Sequence, residues 1–139
     1  MVVPLVPRRG WAAVKGLSQA VVQHMAEVIP QRFVAKSGPK NRIGKIYIDY
    51  LRNGFGATTV CAWSARARPG MGVSVPIAWE ELATLSGAAH WNVRNIAPRL
   101  ALGNQPWAAY SQSRQGLSAA MRALGFKPAP TVPSHGDTS

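Results

Sequence analysis

Proline and glycine are spread along the chain and divide it into short segments. The 139 residues include eleven Pro and thirteen Gly. Because Pro breaks a helix interior and Gly weakens one, this distribution disfavours a long helical bundle or a coiled coil. An apolar fraction of 47% argues against wholesale disorder. The length suffices for one domain with its own core, so we expect a single small domain built from short elements.

Hydrophobic periodicity predicts an α+β fold. Apolar residues at spacings of three and four predict a helix at Trp11–Val28. A strand over residues 46–51, a turn at Asn53-Gly54 and a returning strand over residues 58–63 predict an antiparallel β-hairpin. Further helices are predicted over residues 79–85, 96–102 and 106–124. The expected architecture is therefore an antiparallel sheet with flanking helices.

The two ends of the chain carry further expectations. Residues 2–6 are apolar and predict a strand whose unpaired edge would make the protein marginally stable or self-associating. The same segment is too short and too rich in Pro to be a signal peptide. Residues 128–139 are rich in Pro, Ser and Gly, and we expect them to be a disordered tail.

The charge balance is strongly basic. Sixteen Lys and Arg face five Asp and Glu, which gives a net charge of +11. Such a chain attracts a polyanion, either nucleic acid or an anionic membrane surface. Arg outnumbers Lys, and the Arg guanidinium matches phosphate oxygens and stacks on bases. No apolar run is long enough to span a membrane. Nucleic acid or nucleotide is therefore the favoured partner, and a surface that merely confers solubility is the alternative.

Cysteine and histidine offer little chemistry. Cys61 is the single cysteine, so it has no internal disulfide partner, and the three His show no metal-binding spacing with it. We expect a buried thiol on the returning strand of the hairpin. A reducing, cytoplasmic environment is compatible with this composition.

A single acid, Asp49, lies within the most basic stretch of the chain. That stretch contains Arg32, Lys36, Lys40, Arg42, Lys45, Arg52, Arg66 and Arg68. Asp49 has two interpretations: a salt bridge to a neighbouring cation, or a Mg²⁺ or Mn²⁺ ligand that faces a triphosphate. Glu80 and Glu81 are predicted to belong to a solvated helix face. The residues expected to contact DNA are Lys36, Lys40, Arg42, Lys45 and Arg68.

Residues 32–82 resemble a known family. The motifs K-I-Y-I-D-Y-L-R-N, G-A-T-T-V and S-A-R-A-R-P-G are similar to the last catalytic segment of the primase-polymerase domain of bacterial DNA ligase D. That family belongs to the archaeo-eukaryotic primase superfamily. Weaker similarity extends the resemblance to residues 2–127. The resemblance implies the C-terminal portion of a primase-like core over residues 1–127.

The resemblance also implies roles for individual residues. Asp49 matches a metal-binding aspartate, which implies a catalytic role with Mn²⁺ or Mg²⁺. Arg66 matches a residue that contacts the triphosphate, and Arg52 lies where the family places a residue near the nucleotide. The implied activity is nucleotidyl transfer at DNA ends in non-homologous end joining, with DNA ends and nucleoside triphosphates as partners.

The sequence departs from the family in its acids. The family's D-x-D pair and its 5′-phosphate-binding lysines have no counterpart in the 139 residues. We therefore expect the chain to be inactive alone. The alternatives are a non-catalytic DNA- or nucleotide-binding module, half of a split polymerase that pairs with an upstream half or with the ligase domain, and a decayed reading frame.

The basic stretch predicts salt-dependent DNA binding. Each phosphate contact releases a counterion, so affinity for a short duplex with a 3′ overhang should fall steeply as salt rises and should not depend on base sequence. The measurement is a binding titration across a salt series. Affinity that is constant across the series would contradict the predicted footprint.

Overall fold

The computed structural model describes residues 2–129, which form two compact units. The α1 unit comprises residues 5–58 and 116–129, and the α2 unit comprises residues 2–4 and 59–115. The helices are α1 (Trp11–Val28), α2 (Ala97–Leu102) and α3 (Ser118–Ala123), and the strands are β1 (Phe33–Val34) and β2 (Ile46–Tyr47). Short 3₁₀ turns lie at Pro39–Arg42, Leu51–Asn53, Trp79–Thr84 and Gln105–Trp107. The predicted α+β class is confirmed.

Helix α1 is the longest element and the centre of its unit. Its bounds match the prediction from the apolar stripe, and Leu17 and Val22 on this stripe are buried. Met121 of α3 is also buried. The ring of Phe126 lies against Gly16, where an added Cβ would be 2.7 Å from the ring carbon Cζ. A side chain at position 16 would therefore displace Phe126 from α1.

The predicted hairpin over residues 46–63 is wrong. Strand β2 instead pairs in parallel with β1, with Phe33 opposite Ile46. The chain leaves β2 through the Leu51–Asn53 turn, and Gly54 has a φ of −95°. A two-residue Asn-Gly hairpin requires positive φ at both central residues, so this backbone cannot return as a hairpin. Cys61 is consequently exposed on an irregular segment, and the prediction of a buried thiol is also wrong.

Antiparallel pairing occurs later in the chain, in the α2 unit. The Arg66 N–H donates to the Gly72 carbonyl at 2.9 Å, and the Ser74 N–H donates to the Ser64 carbonyl at 3.0 Å. The connecting turn is closed by the Met71 N–H, which donates to the Arg68 carbonyl at 2.8 Å. Pro69-Gly70 occupies its two central positions, and Gly70 has the positive φ of 87° that a type II turn requires. The segment that carries Arg66 and Arg68 is therefore the tip of a short hairpin.

The later helices are shorter than predicted. The helix predicted over residues 79–85 is the 3₁₀ helix Trp79–Thr84. The helix predicted over residues 96–102 is α2, which begins at Ala97. The long helix predicted over residues 106–124 is wrong: it is interrupted between the Gln105–Trp107 turn and α3. In this interval the Gln115 N–H donates to the Pro4 carbonyl at 3.2 Å instead of bonding within a helix.

The predicted features at the chain ends have different outcomes. Val2 and Val3 are exposed, and the self-association expected from them stays a prediction. Residues 130–139 of the predicted tail lie outside the described residues. Within the described part of the chain, every helix is too short or too polar to cross a bilayer.

A buried arginine stabilises the α2 unit. Arg99 is 2% exposed, and its guanidinium donates to both carboxylate oxygens of Glu81, at 2.6 and 3.0 Å, and to the Pro76 carbonyl. Glu81 also accepts the Ala78 N–H at 3.0 Å. The hydrogen bond from Arg99 lowers the pKa of Glu81 below 4.5, and the Ala78 N–H lowers it further against the opposing effect of burial. The prediction that Glu81 belongs to a solvated face is therefore wrong.

Loss of Arg99 should destabilise the protein. Arg99→Ala removes the partner of a one-third exposed carboxylate, and we expect the free energy of unfolding to fall by about 2–3 kcal/mol near pH 7. Because the pKa of Glu81 is lowered by folding, its contribution is complete above pH 4.5 and is lost as the pH falls through the folded value.

Denaturant unfolding of the wild-type chain and the variant at pH 7 and in acid measures both effects. Arg94→Ala is the matched control, because Arg94 is an exposed arginine of the same unit. Equal stability of Arg99→Ala and Arg94→Ala would contradict the assigned role.

Candidate nucleic-acid interface

The structure exposes every basic residue of the predicted interface. These residues are Arg32, Lys36, Lys40, Arg42, Lys45, Arg52, Arg66 and Arg68. The first six belong to the α1 unit and the last two to the α2 unit. Exposed cations on short turns can reach phosphate oxygens without desolvating a core.

Asp49 and Arg52 form an exposed ion pair at the end of β2. Arg52 Nε lies 3.5 Å from Asp49 Oδ2, and the two side chains are 57% and 40% exposed, respectively. Asp49 Oδ1 accepts the Leu51 N–H at 2.9 Å, and Arg52 Nη1 donates to the Thr58 carbonyl at 3.0 Å. The salt-bridge interpretation of Asp49 is thus present in the structure. Both charged groups still face solvent, so an anion has direct access to the Arg52 guanidinium.

The basic loop over residues 36–45 is ordered by its own contacts. Asn41 Nδ2 donates to the Ser37 carbonyl at 2.7 Å across the Pro39–Arg42 turn. The Arg42 guanidinium carbon lies 4.8 Å from the centroid of the Tyr47 ring, within cation–π range. These contacts fix Lys40 and Arg42 on a turn that leads back into β2.

Arg66 and Arg68 are held on the hairpin of the α2 unit. Their main-chain bonds fix the backbone, and both side chains are exposed. Among the described residues, the strand pairing predicted between residues 46–51 and 58–63 does not form. Arg52 and Arg66, the two predicted nucleotide ligands, belong to different units.

Asp49 alone does not make a metal site. No group of three or more His, Cys, Asp or Glu side chains converges within residues 2–129. Mg²⁺ and Mn²⁺ are bound through several oxygens, usually with two or more carboxylates at nucleotidyl-transfer centres. The described residues therefore do not fit a divalent cation without further ligands.

Sequence reasoning missed an aromatic pair that involves the loop after the Leu51–Asn53 turn. Trp11 and Phe55 meet edge to face, with ring centroids 6.2 Å apart and an interplanar angle of 66°. The apolar stripe predicts only a helical position for Trp11. The available signal was the position of Phe55 between Gly54 and Gly56, which is typical of a surface loop and not of a core strand.

Comparison with known proteins gives consistent matches. A sequence model of the LigD primase-polymerase domain matches residues 1–107. The multifunctional non-homologous end joining protein LigD of Pseudomonas aeruginosa is 54% identical over 124 residues, which cover 88% of this chain and 15% of that protein. The bifunctional non-homologous end joining protein LigD of Bacillus subtilis is 25% identical over 128 residues, covering 90% of this chain and 21% of that protein. The chain thus spans less than a quarter of the length of either relative.

Proposed function

Because the chain belongs to the LigD primase-polymerase family, we propose that it supplies a nucleotide- and DNA-binding part of a polymerase acting at DNA ends in non-homologous end joining. The observation that carries the proposal is the exposed pair of Asp49 and Arg52 at the end of β2. The pair presents a guanidinium, which binds phosphate oxygens, beside a carboxylate, which could be one of the several oxygen ligands that a divalent cation needs.

The cations divide into two proposed roles. Triphosphate contacts are proposed for Arg52 of the α1 unit and, separately and from the family resemblance, for Arg66 of the α2 unit, because a guanidinium offers paired donors to phosphate oxygens. The DNA backbone is bound by Lys36, Lys40, Arg42, Lys45 and Arg68, which are all exposed. Phosphate contacts of this kind position the DNA without selecting its sequence.

Catalysis by this chain alone is not part of the proposal. Asp49 is the one carboxylate of the basic stretch, and nucleotidyl transfer requires a divalent metal bound by further carboxylates. The single carboxylate equally favours a second candidate, a binding module or half of a split polymerase whose remaining acids come from another polypeptide segment. Both candidates place DNA and nucleotides on the same residues.

The chain alone should not extend DNA. With Mn²⁺ and ribonucleotides, we expect no primer extension above background by the wild-type chain or by Asp49→Ala, because the metal ligands are incomplete. A primer-extension assay on a duplex with an overhang measures this. Extension by the wild-type chain that Asp49→Ala abolishes would contradict the proposal, since the chain would then contain a complete site.

Triphosphate binding separates a nucleotide site from a generally basic surface. We expect Arg52→Ala and Arg66→Ala each to weaken binding of a labelled nucleoside triphosphate about tenfold, as for a charge-assisted hydrogen bond. Arg122→Ala is the matched control, because it removes an equal charge from an exposed position on α3. Equal effects of all three variants would show that the triphosphate is attracted by the general positive charge of the surface and not by Arg52 or Arg66 in particular.

A further inference from the structure

The Trp11–Phe55 pair is exposed to an extent that packing does not explain. Trp11 is 59% exposed and Phe55 is 85% exposed, although the two rings touch. Phe55 lies on the loop that follows the Leu51–Asn53 turn, and Trp11 is the first residue of α1. An edge-to-face pair contributes about 1 kcal/mol, which does not account for two large apolar rings held in water. The free faces of these rings are therefore available to a ligand.

The surroundings of the pair are cationic. The Lys15 side chain, one helical turn from Trp11, lies over the loop: its Cδ and Nζ would be 3.3 and 3.6 Å from a Cβ added at Gly54. Arg52 precedes the same loop and is exposed. The nearest acid in sequence, Asp49, already pairs with Arg52. An apolar aromatic surface bordered by positive charge is complementary to a planar ring that carries a phosphate.

We infer that Trp11 and Phe55 form a stacking platform for an unpaired nucleobase of a DNA strand, with Lys15 binding the adjacent phosphate. Every base has a π-face, and single-strand-binding proteins combine aromatic rings with basic side chains in this way. Inside a duplex both faces of each base are covered by neighbours, so the ligand is an overhang or another single-stranded region. The inference rests on the proposed function for the DNA partner and adds the part of the DNA that this surface contacts.

The charge favours nucleic acid over a protein partner for this surface. A hydrophobic contact between proteins does not need flanking cations, and a second copy of this chain would bring an equally basic surface, since each chain carries +11. Repulsion between like charges opposes contact between two copies of the chain, whereas a negatively charged phosphate backbone is attracted to the same positive surface. The occupant is therefore a strand that carries both rings and negative charge.

Two oligonucleotides of equal length and charge isolate the stacking. One is oligothymidylate, and the other is an abasic phosphodiester strand that lacks every base. The full wild-type chain should bind oligothymidylate at least about tenfold more tightly than the abasic strand. Phe55→Ala and Phe55→Leu should abolish this preference, whereas Phe55→Trp should keep it, because stacking requires an aromatic ring and not merely an apolar side chain.

Matched variants separate charge from stacking. Lys15→Ala should weaken binding of both strands alike and reduce the slope of log affinity against log salt by about one, while Phe55→Ala leaves that slope unchanged. Trp79→Ala is the control, because Trp79 is 70% exposed but belongs to the α2 unit, and it should keep the preference. Circular dichroism verifies that each variant is folded, as expected for such exposed positions.

The binding results distinguish failure of the proposed function from failure of the stacking platform. A wild-type chain that binds neither strand would contradict the proposed function itself. Equal wild-type binding of both strands, or a preference that survives Phe55→Ala, would overturn the platform alone. Analytical ultracentrifugation adds a third outcome: self-association that Phe55→Ala abolishes, with strand preference intact, would assign the pair to a protein contact and overturn the inference.

Discussion

The carboxylate of Asp49 determines the path of the chain beyond β2. Its Oδ1 accepts the Leu51 N–H, which starts the Leu51–Asn53 turn, and its Oδ2 faces Arg52. This turn packs against α1, and the loop that follows it brings Phe55 to Trp11. Arg52 in turn fixes the end of the loop through the Thr58 carbonyl. The side chain that resembles a metal ligand therefore also shapes the surface proposed to bind nucleotide and DNA.

Few side chains are buried and many apolar and cationic side chains are exposed, which explains why the proposed binding residues all lie at the surface. Among the described residues, the buried apolar side chains are Leu17, Val22, Pro76 and Met121, whereas many large apolar residues face solvent. The cations of residues 32–68 are likewise all at the surface. A chain with this distribution offers ligands positive charge and aromatic faces. Arg99, the one buried cation within residues 2–129, is neutralised by Glu81 and serves stability.

Local patterns predicted what depends on local structure. The apolar stripe predicted the bounds of α1, and the charge pattern predicted the basic stretch whose cations are exposed. The hairpin prediction failed because the Asx turn at Asp49 competes with the Asn53-Gly54 turn, and propensity alone does not decide between them. The pairing of Arg99 with Glu81 was not predictable, because the residues are 18 positions apart and share no sequence period. Likewise, nothing in the apolar stripe indicated that Trp11 would remain exposed.

The accessibility of the Asp49–Arg52 pair to an anion is the property on which the proposed nucleotide contact of the α1 unit depends. Its most direct test is the affinity for a nucleoside triphosphate without divalent metal, compared between the wild-type chain and Asp49→Asn. The Asn side chain retains the acceptor for the Leu51 N–H, so the turn persists while the negative charge is lost. Exposed ion pairs are worth up to about 1 kcal/mol, so freeing Arg52 should tighten binding about two- to fivefold. Unchanged or weaker binding by Asp49→Asn would contradict this accessibility, because Arg52 would then not face the triphosphate.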